Sequence, residues 1–221
     1  MKFYTIILLF IFISCAREKN TKIKKDEKSE PKVIRNEQLL NKFKTIVIDS
    51  FYVYSTYENN KFEGVRIEKS EAKIFPEEII LTYSEIDIFA CYKFIIDSTR
   101  IGLIARTPSE YSSTSIKLFI YDKKSNSIIN YIELAESWGD AGESMEKRSW
   151  LFWENNKLKL LSEKTERTDH RAYAEDENDT IVEIWNNLYL IDFKNSIFDT
   201  LNTSEKRIRS KYYKLLNKAS Y

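Results

Sequence analysis

The chain of 221 residues holds only 4 glycines, 3 prolines, 2 cysteines and 1 histidine. So little Gly and Pro excludes collagen-like and low-complexity chains, and two cysteines cannot staple a disulfide scaffold. No charge of one sign dominates, because 35 Lys and Arg face 34 Asp and Glu, for a net +1. Without a basic field there is nothing to recruit a phosphate backbone, so no nucleic-acid partner is expected. A phosphate-binding Gly loop, a Gly-x-Ser-x-Gly elbow and paired Cys ligands are all missing. No catalytic residue, no cofactor and no metal site is therefore expected from motifs. What the chain has is 43% hydrophobic and 14% aromatic residues, enough to pack a core in one domain.

The first residues run Met1-Lys2 and then Phe3 to Ile13 without a charge, ending at Ser14-Cys15. A cation, an apolar run of about 11 residues and a small residue are the parts of a secretory signal. The run is shorter than the roughly 20 residues that span a bilayer. Phe12-Ile13-Ser14-Cys15 resembles the lipobox of the bacterial lipoprotein signal family, with Phe where that pattern prefers Leu. The resemblance covers residues 1–15 and implies removal of residues 1–14 and a lipid such as palmitate on Cys15. It also implies an envelope address: the inner or outer membrane of a Gram-negative bacterium, facing the periplasm or the surface. A signal peptide cleaved nearby without a lipid, or an uncleaved anchor, are the alternatives. Residues 15–32 carry almost no apolar side chains and read as a disordered tether. Residues 33–221 then form a single β-rich domain.

Once Cys15 carries lipid, Cys91 is the remaining thiol, and its strand-like surroundings make it a small buried hydrophobe. From residue 44 onward the apolar spacing is two rather than 3.6. Ile46, Ile48, Ser50 and Tyr52 fall on one face of an expected strand, and Ile86, Ile88, Ala90, Tyr92, Phe94 and Ile96 on one face of another.

The chain also repeats itself. Residues 94–104 align without gaps on 151–161, each a strand, an acidic residue, polar residues, a cation and a strand. Leu118 to Asp122 aligns in the same way with Leu188 to Asp192, each followed by a Lys/Asn/Ser turn and a further strand. Gly102 has Lys159 as its counterpart, which makes that glycine dispensable to the unit. The expected fold is all-β: an antiparallel meander of repeated four-stranded units, packed as a sandwich or an open arrangement. Such units resemble β-propeller blades, but residues 44–200 hold about three and a closed ring needs at least about four. A lipocalin-like barrel is the alternative.

Two helices are expected. One lies within 33–44, bringing Leu39, Leu40 and Phe43 together. The other spans 203–218, capped by Thr203 or Ser204, with Ile208, Tyr212, Leu215 and Leu216 on its apolar face.

Two glycines, Gly139 and Gly142, fall in a segment from Glu133 to Ser144 that reads as a loop joining the repeats. Trp138, Asp140 and Glu143 there, with Trp150 beyond, form the candidate ligand-contacting set, because aromatic faces beside carboxylates suit sugars. The alternative is a tight connection in which Trp138 plugs the core. The acidic residues Asp169, Glu175, Asp176, Glu177 and Asp179 read as a solvated hairpin tip. The expected function is that of a non-enzymatic envelope lipoprotein presenting its domain to a protein or glycan partner, with a glycan-active enzyme or an inhibitor of immunity type as alternatives.

Overall fold

The computed structural model describes residues 36–55, 60–81, 87–109, 114–172 and 181–217, all within the compact unit Val33–Tyr221. The expected signal peptide, lipidation site and tether lie outside the described residues. The described chain is mostly β, with eleven strands joined in one sheet.

Eight of these strands form two consecutive meanders. The first is β4 (Phe89–Ile95), β5 (Arg100–Thr107), β6 (Ser115–Asp122) and β7 (Ser127–Asp140). The second is β8 (Glu143–Glu154), β9 (Lys157–Asp169), β10 (Val182–Lys194) and β11 (Ile197–Thr200). The repeated segments fall on β4–β5 and β8–β9, and on β6–β7 and β10–β11, so the two repeat units are the two meanders. Tight turns set their hairpins: Asn155 and Asn156, and Asn195 and Ser196, all have positive φ, as two-residue primed turns demand.

β7 ties the units together. Its first half pairs with β6 and its last residues, Glu136 to Asp140, pair with β8. The sheet folds over so that Ile104, Ile116, Leu118 and Ile120 of the first meander pack against Leu151, Leu158, Leu160 and Ile191 of the second. It does not close, since the strand order begins at β1 (Lys44–Thr45) and ends at β11. The lipocalin-like barrel is thereby set aside.

The alternate residues of each meander face outward and are covered by helices. On the first meander, Leu103, Ala105, Phe119 and Tyr121 meet Leu39, Leu40 and Phe43 of the α1 region (α1, Glu37–Asn41). They also meet Ala72 of α2 (Lys69–Ala72) and Phe75, just ahead of α3 (Glu77–Leu81). On the second, Trp150, Phe152, Leu161, Leu188 and Leu190 meet Ile208 and Tyr212. Those two residues belong to the expected C-terminal helix, which is broken at Tyr212 into α4 (Glu205–Lys211) and α5 (Tyr213–Asn217). Ser204 occupies the cap position without a side-chain hydrogen bond, contrary to the expected cap. Glu163 instead fixes the helix, accepting from Arg148 at 2.8 Å on the sheet and lying 3.4 Å from Arg209 on α4.

Three expectations need correction. The strand expected from residue 44 is two: β1 lies parallel to β4, and β2 (Ser50–Val53) lies antiparallel to β8. Period-two spacing cannot show a strand changing partners. Second, the single apolar face expected on β4 is divided by a bulge between Ala90 and Tyr92, which turns Ile88 and Ala90 toward the helices but Phe94 toward the inner core. Third, Gly102 is not dispensable: a Cβ there would stand 2.4 Å from the Phe94 ring, which lies against its backbone.

Gly102→Ala should therefore cost about 1–3 kcal/mol, as overpacking does. Urea unfolding measures it, and adding Phe94→Leu to the same chain should recover part of the loss.

Candidate functional site

The segment expected as a loop is mostly strand. β7 runs on to Asp140, and only Ala141 and Gly142, with φ of 43° and 93°, form the turn into β8. Gly139 lies in the strand opposite Ser144.

From this turn the ends of four strands extend beyond the inner core. Their register sets the side chains in rows. Trp138, Met145, Glu166 and Trp185 are successive partners across β7, β8, β9 and β10, and therefore share one face. The adjoining rows on that face are Glu136, Lys147, Lys164 and Asn187, and Asp140, Glu143, Thr168 and Glu183. The structure thus brings Trp138, Asp140 and Glu143 to one face, with both carboxylates exposed and Trp138 half-buried beside Met145 rather than plugging the core. Trp150 is separated from them. It alternates to the other face of β8, where it is buried against Tyr52 at 5.2 Å between ring centroids. Met145, Glu166 and Trp185 completed the face without being singled out in the sequence, because their proximity comes only from register.

At the root of this extension lies a half-buried polar cluster. A bulge in β7 opposite Ile116 and Lys117 brings Glu133 and Glu136 into hydrogen-bond contact. Glu133 also accepts from Lys147 at 3.2 Å and from the Ser115 hydroxyl at 3.1 Å, and lies 3.6 Å from the Lys117 ammonium. Lys117 reaches Thr107 at 3.1 Å and Ser115. Burial opposes charge on Glu133, but Lys147 and Lys117 outweigh it and hold that carboxyl below its usual range. Burial, together with the charge of Glu133, pushes Glu136 up to about 7. The two glutamates accordingly share a proton below about pH 7 and lose it as the pH rises through that value. The one sequence signal for this cluster is a lysine, Lys117, inside the otherwise apolar strand β6.

Chemically this is a shared-proton pair closed on its own lysines. Retaining and inverting glycosidases separate their carboxyls by about 5 Å or more to admit a substrate bond or a water, whereas Glu133 and Glu136 are hydrogen-bonded to each other. Cys91 is also internally engaged. Its Sγ lies 3.4 Å from the Phe62 carbonyl, and burial pushes the thiol up to about 11, so it is protonated at neutral pH.

His170 stands 3.6 Å from Glu183 across the hairpin. Of the expected acidic tip, Asp169 is held by Arg167 at 2.8 Å and by Arg171, and these contacts keep its carboxyl far below the usual range. Glu175, Asp176, Glu177 and Asp179 lie outside the described residues.

A separate open cleft of about 550 Å³ lies between α5 and β8, lined by Asp49, Phe152, Trp153, Glu154, Tyr212 and Tyr213 among others. Of its two carboxylates, Glu154 is bound by Lys211 at 2.9 Å and Lys159 at 3.3 Å.

No family model matches the chain, and no curated protein or solved structure matches it.

The Glu136 pKa sets a pH dependence whose sign is fixed. A carboxyl raised in the folded state binds its proton more tightly there than in the unfolded chain, so stability falls as pH rises from the ordinary value of 4.5 through about 7. Melting temperature should decline across that window in the native chain, and Glu136→Gln should flatten the decline.

Proposed function

We propose that the chain is an envelope lipoprotein, held to a membrane by lipid on Cys15, whose β domain meets a protein or glycan partner without catalysing a reaction. The observation that carries this reading is the uncharged run from Phe3 to Ile13 ending at Ser14-Cys15. The lysine-rich, apolar-poor segment after it suits a spacer between membrane and domain.

Two features of the domain support a binding role. The face built from Trp138, Met145, Glu166 and Trp185 offers aromatic rings beside carboxylates and amides, the pairing that sugars and polar protein surfaces both accept. The Cys91 thiol and the Glu133–Glu136 pair are engaged in internal contacts, whereas Asp140 and Glu143 stand exposed on the Trp138 face. Proteins that work by presenting a surface place aromatic anchors outward in this way.

Cys15→Ser tests the address. Palmitate labelling should be lost from the variant, and its precursor should accumulate uncleaved, still carrying the apolar run Phe3–Ile13. Labelling that persisted unchanged would overturn the proposal.

A further inference from the structure

We infer that the chain pairs with a second copy of itself through the outer edge of β10, the two strands running antiparallel about a two-fold axis at Trp185. The inference does not rest on the lipid, since both copies need only the domain.

β10 is paired unevenly. Residues 182–192 are matched to β9 without a register break, but β11 joins only from Ile191 onward. Among the described residues, 182–189 has a partner on one side alone. Two hydrogen bonds say which backbone groups face the open side. Leu201 N–H donates to the Leu190 carbonyl at 2.8 Å on the β11 side, and His170 N–H donates to the Ile181 carbonyl at 3.0 Å on the β9 side. Backbone direction alternates along a strand. Val182, Ile184, Asn186 and Leu188 therefore turn their N–H and C=O groups outward.

This edge has little of the usual protection. Natural edge strands carry Lys, Pro or bulges that deter pairing, and 182–188 contains none of them. Glu183 is its one charge. Its side chains are apolar on both faces: Val182 and Ile184 are 37% and 57% exposed on one, and Trp185 and Tyr189 are 47% and 41% exposed on the other. A strand that exposes apolar side chains on both faces and is unpaired along one edge among the described residues is suited to a neighbour of the same character.

The segment is complementary to itself. With the axis at Trp185, Val182 faces Leu188 of the second copy, Glu183 faces Asn187, Ile184 faces Asn186 and the two Trp185 residues face each other. No like charges meet. An axis shifted two residues, to Glu183, would set two carboxylates opposite one another. Outward-facing residues pair with outward-facing residues, so the ladder bonds form. Trp185 falls at a non-hydrogen-bonded position, where Cα atoms approach to about 4.5 Å and the rings can stack. On the neighbouring strand β9, Lys164 is paired with Glu166 at 2.7 Å and Arg167 with Asp169 at 2.8 Å within each copy.

Sedimentation of the full chain in detergent should give twice the chain mass after the detergent is subtracted. Asn186→Pro removes an outward donor and puts a ring where the second backbone must lie, while leaving the β9 side of the ladder intact. It should be monomeric with its melting temperature retained, and Asn186→Ala should stay dimeric. Under mild oxidation Trp185→Cys should give a disulfide-linked dimer, because only position 185 meets itself, and Glu183→Cys should give several-fold less. A monomeric native chain, a dimer that survives Asn186→Pro, or equal cross-linking at 183 and 185 would each overturn the inference.

Discussion

One strand serving two meanders is the constraint on which the molecule depends. β7 is 14 residues long, and its hydrogen bonds go to β6 along its first part and to β8 along its last. Because both meanders are anchored to this one backbone, their inner faces are brought opposite each other, and the core of Leu118, Leu134, Leu151 and Leu160 forms between them. Where β7 leaves the edge of β8, β2 takes its place opposite residues 149–152. The Ser149 hydroxyl, donating to the Leu134 carbonyl, marks the point at which one partner gives way to the next.

The polar cluster is a consequence of the same fork. A strand leaving one sheet for another must bend, and the bulge that provides the bend sets Glu133 beside Glu136. Two carboxylates cannot both be charged at that separation in a half-buried setting without paired cations. Lys117 and Lys147 supply those cations, and the retained proton on Glu136 completes the balance. The cluster reads as the electrostatic cost of the bend, resolved locally.

The two meanders were legible in the sequence because hairpins are local, and the repeat alignment of 94–104 with 151–161 captures strand, turn and strand together. What crosses between sheets was not legible. Residues 46–49 carry the chain from β4 to β8, yet their alternation matches that of an uninterrupted strand. The segment 133–144 looked like a loop because Gly139 and Gly142 dilute its pattern, whereas its pairing with β8 makes most of it strand. Gly102 looked replaceable because its counterpart is Lys159, and the ring of Phe94 lying on it belongs to a neighbouring strand. Of the candidate site, Trp138, Asp140 and Glu143 were legible as one group. Trp150 was not separable from them, since no spacing rule assigns faces across a turn of unknown length.

The division of residues 44–53 between two sheets also bears on the order in which the molecule assembles. Each meander is built from contacts between strands adjacent in sequence, and such contacts close quickly because little chain entropy is lost in forming them. β2, by contrast, docks on a strand about a hundred residues away. β2 thus makes the strand pairing of longest sequence separation among the described residues, and it ties the amino-terminal segment to the second meander.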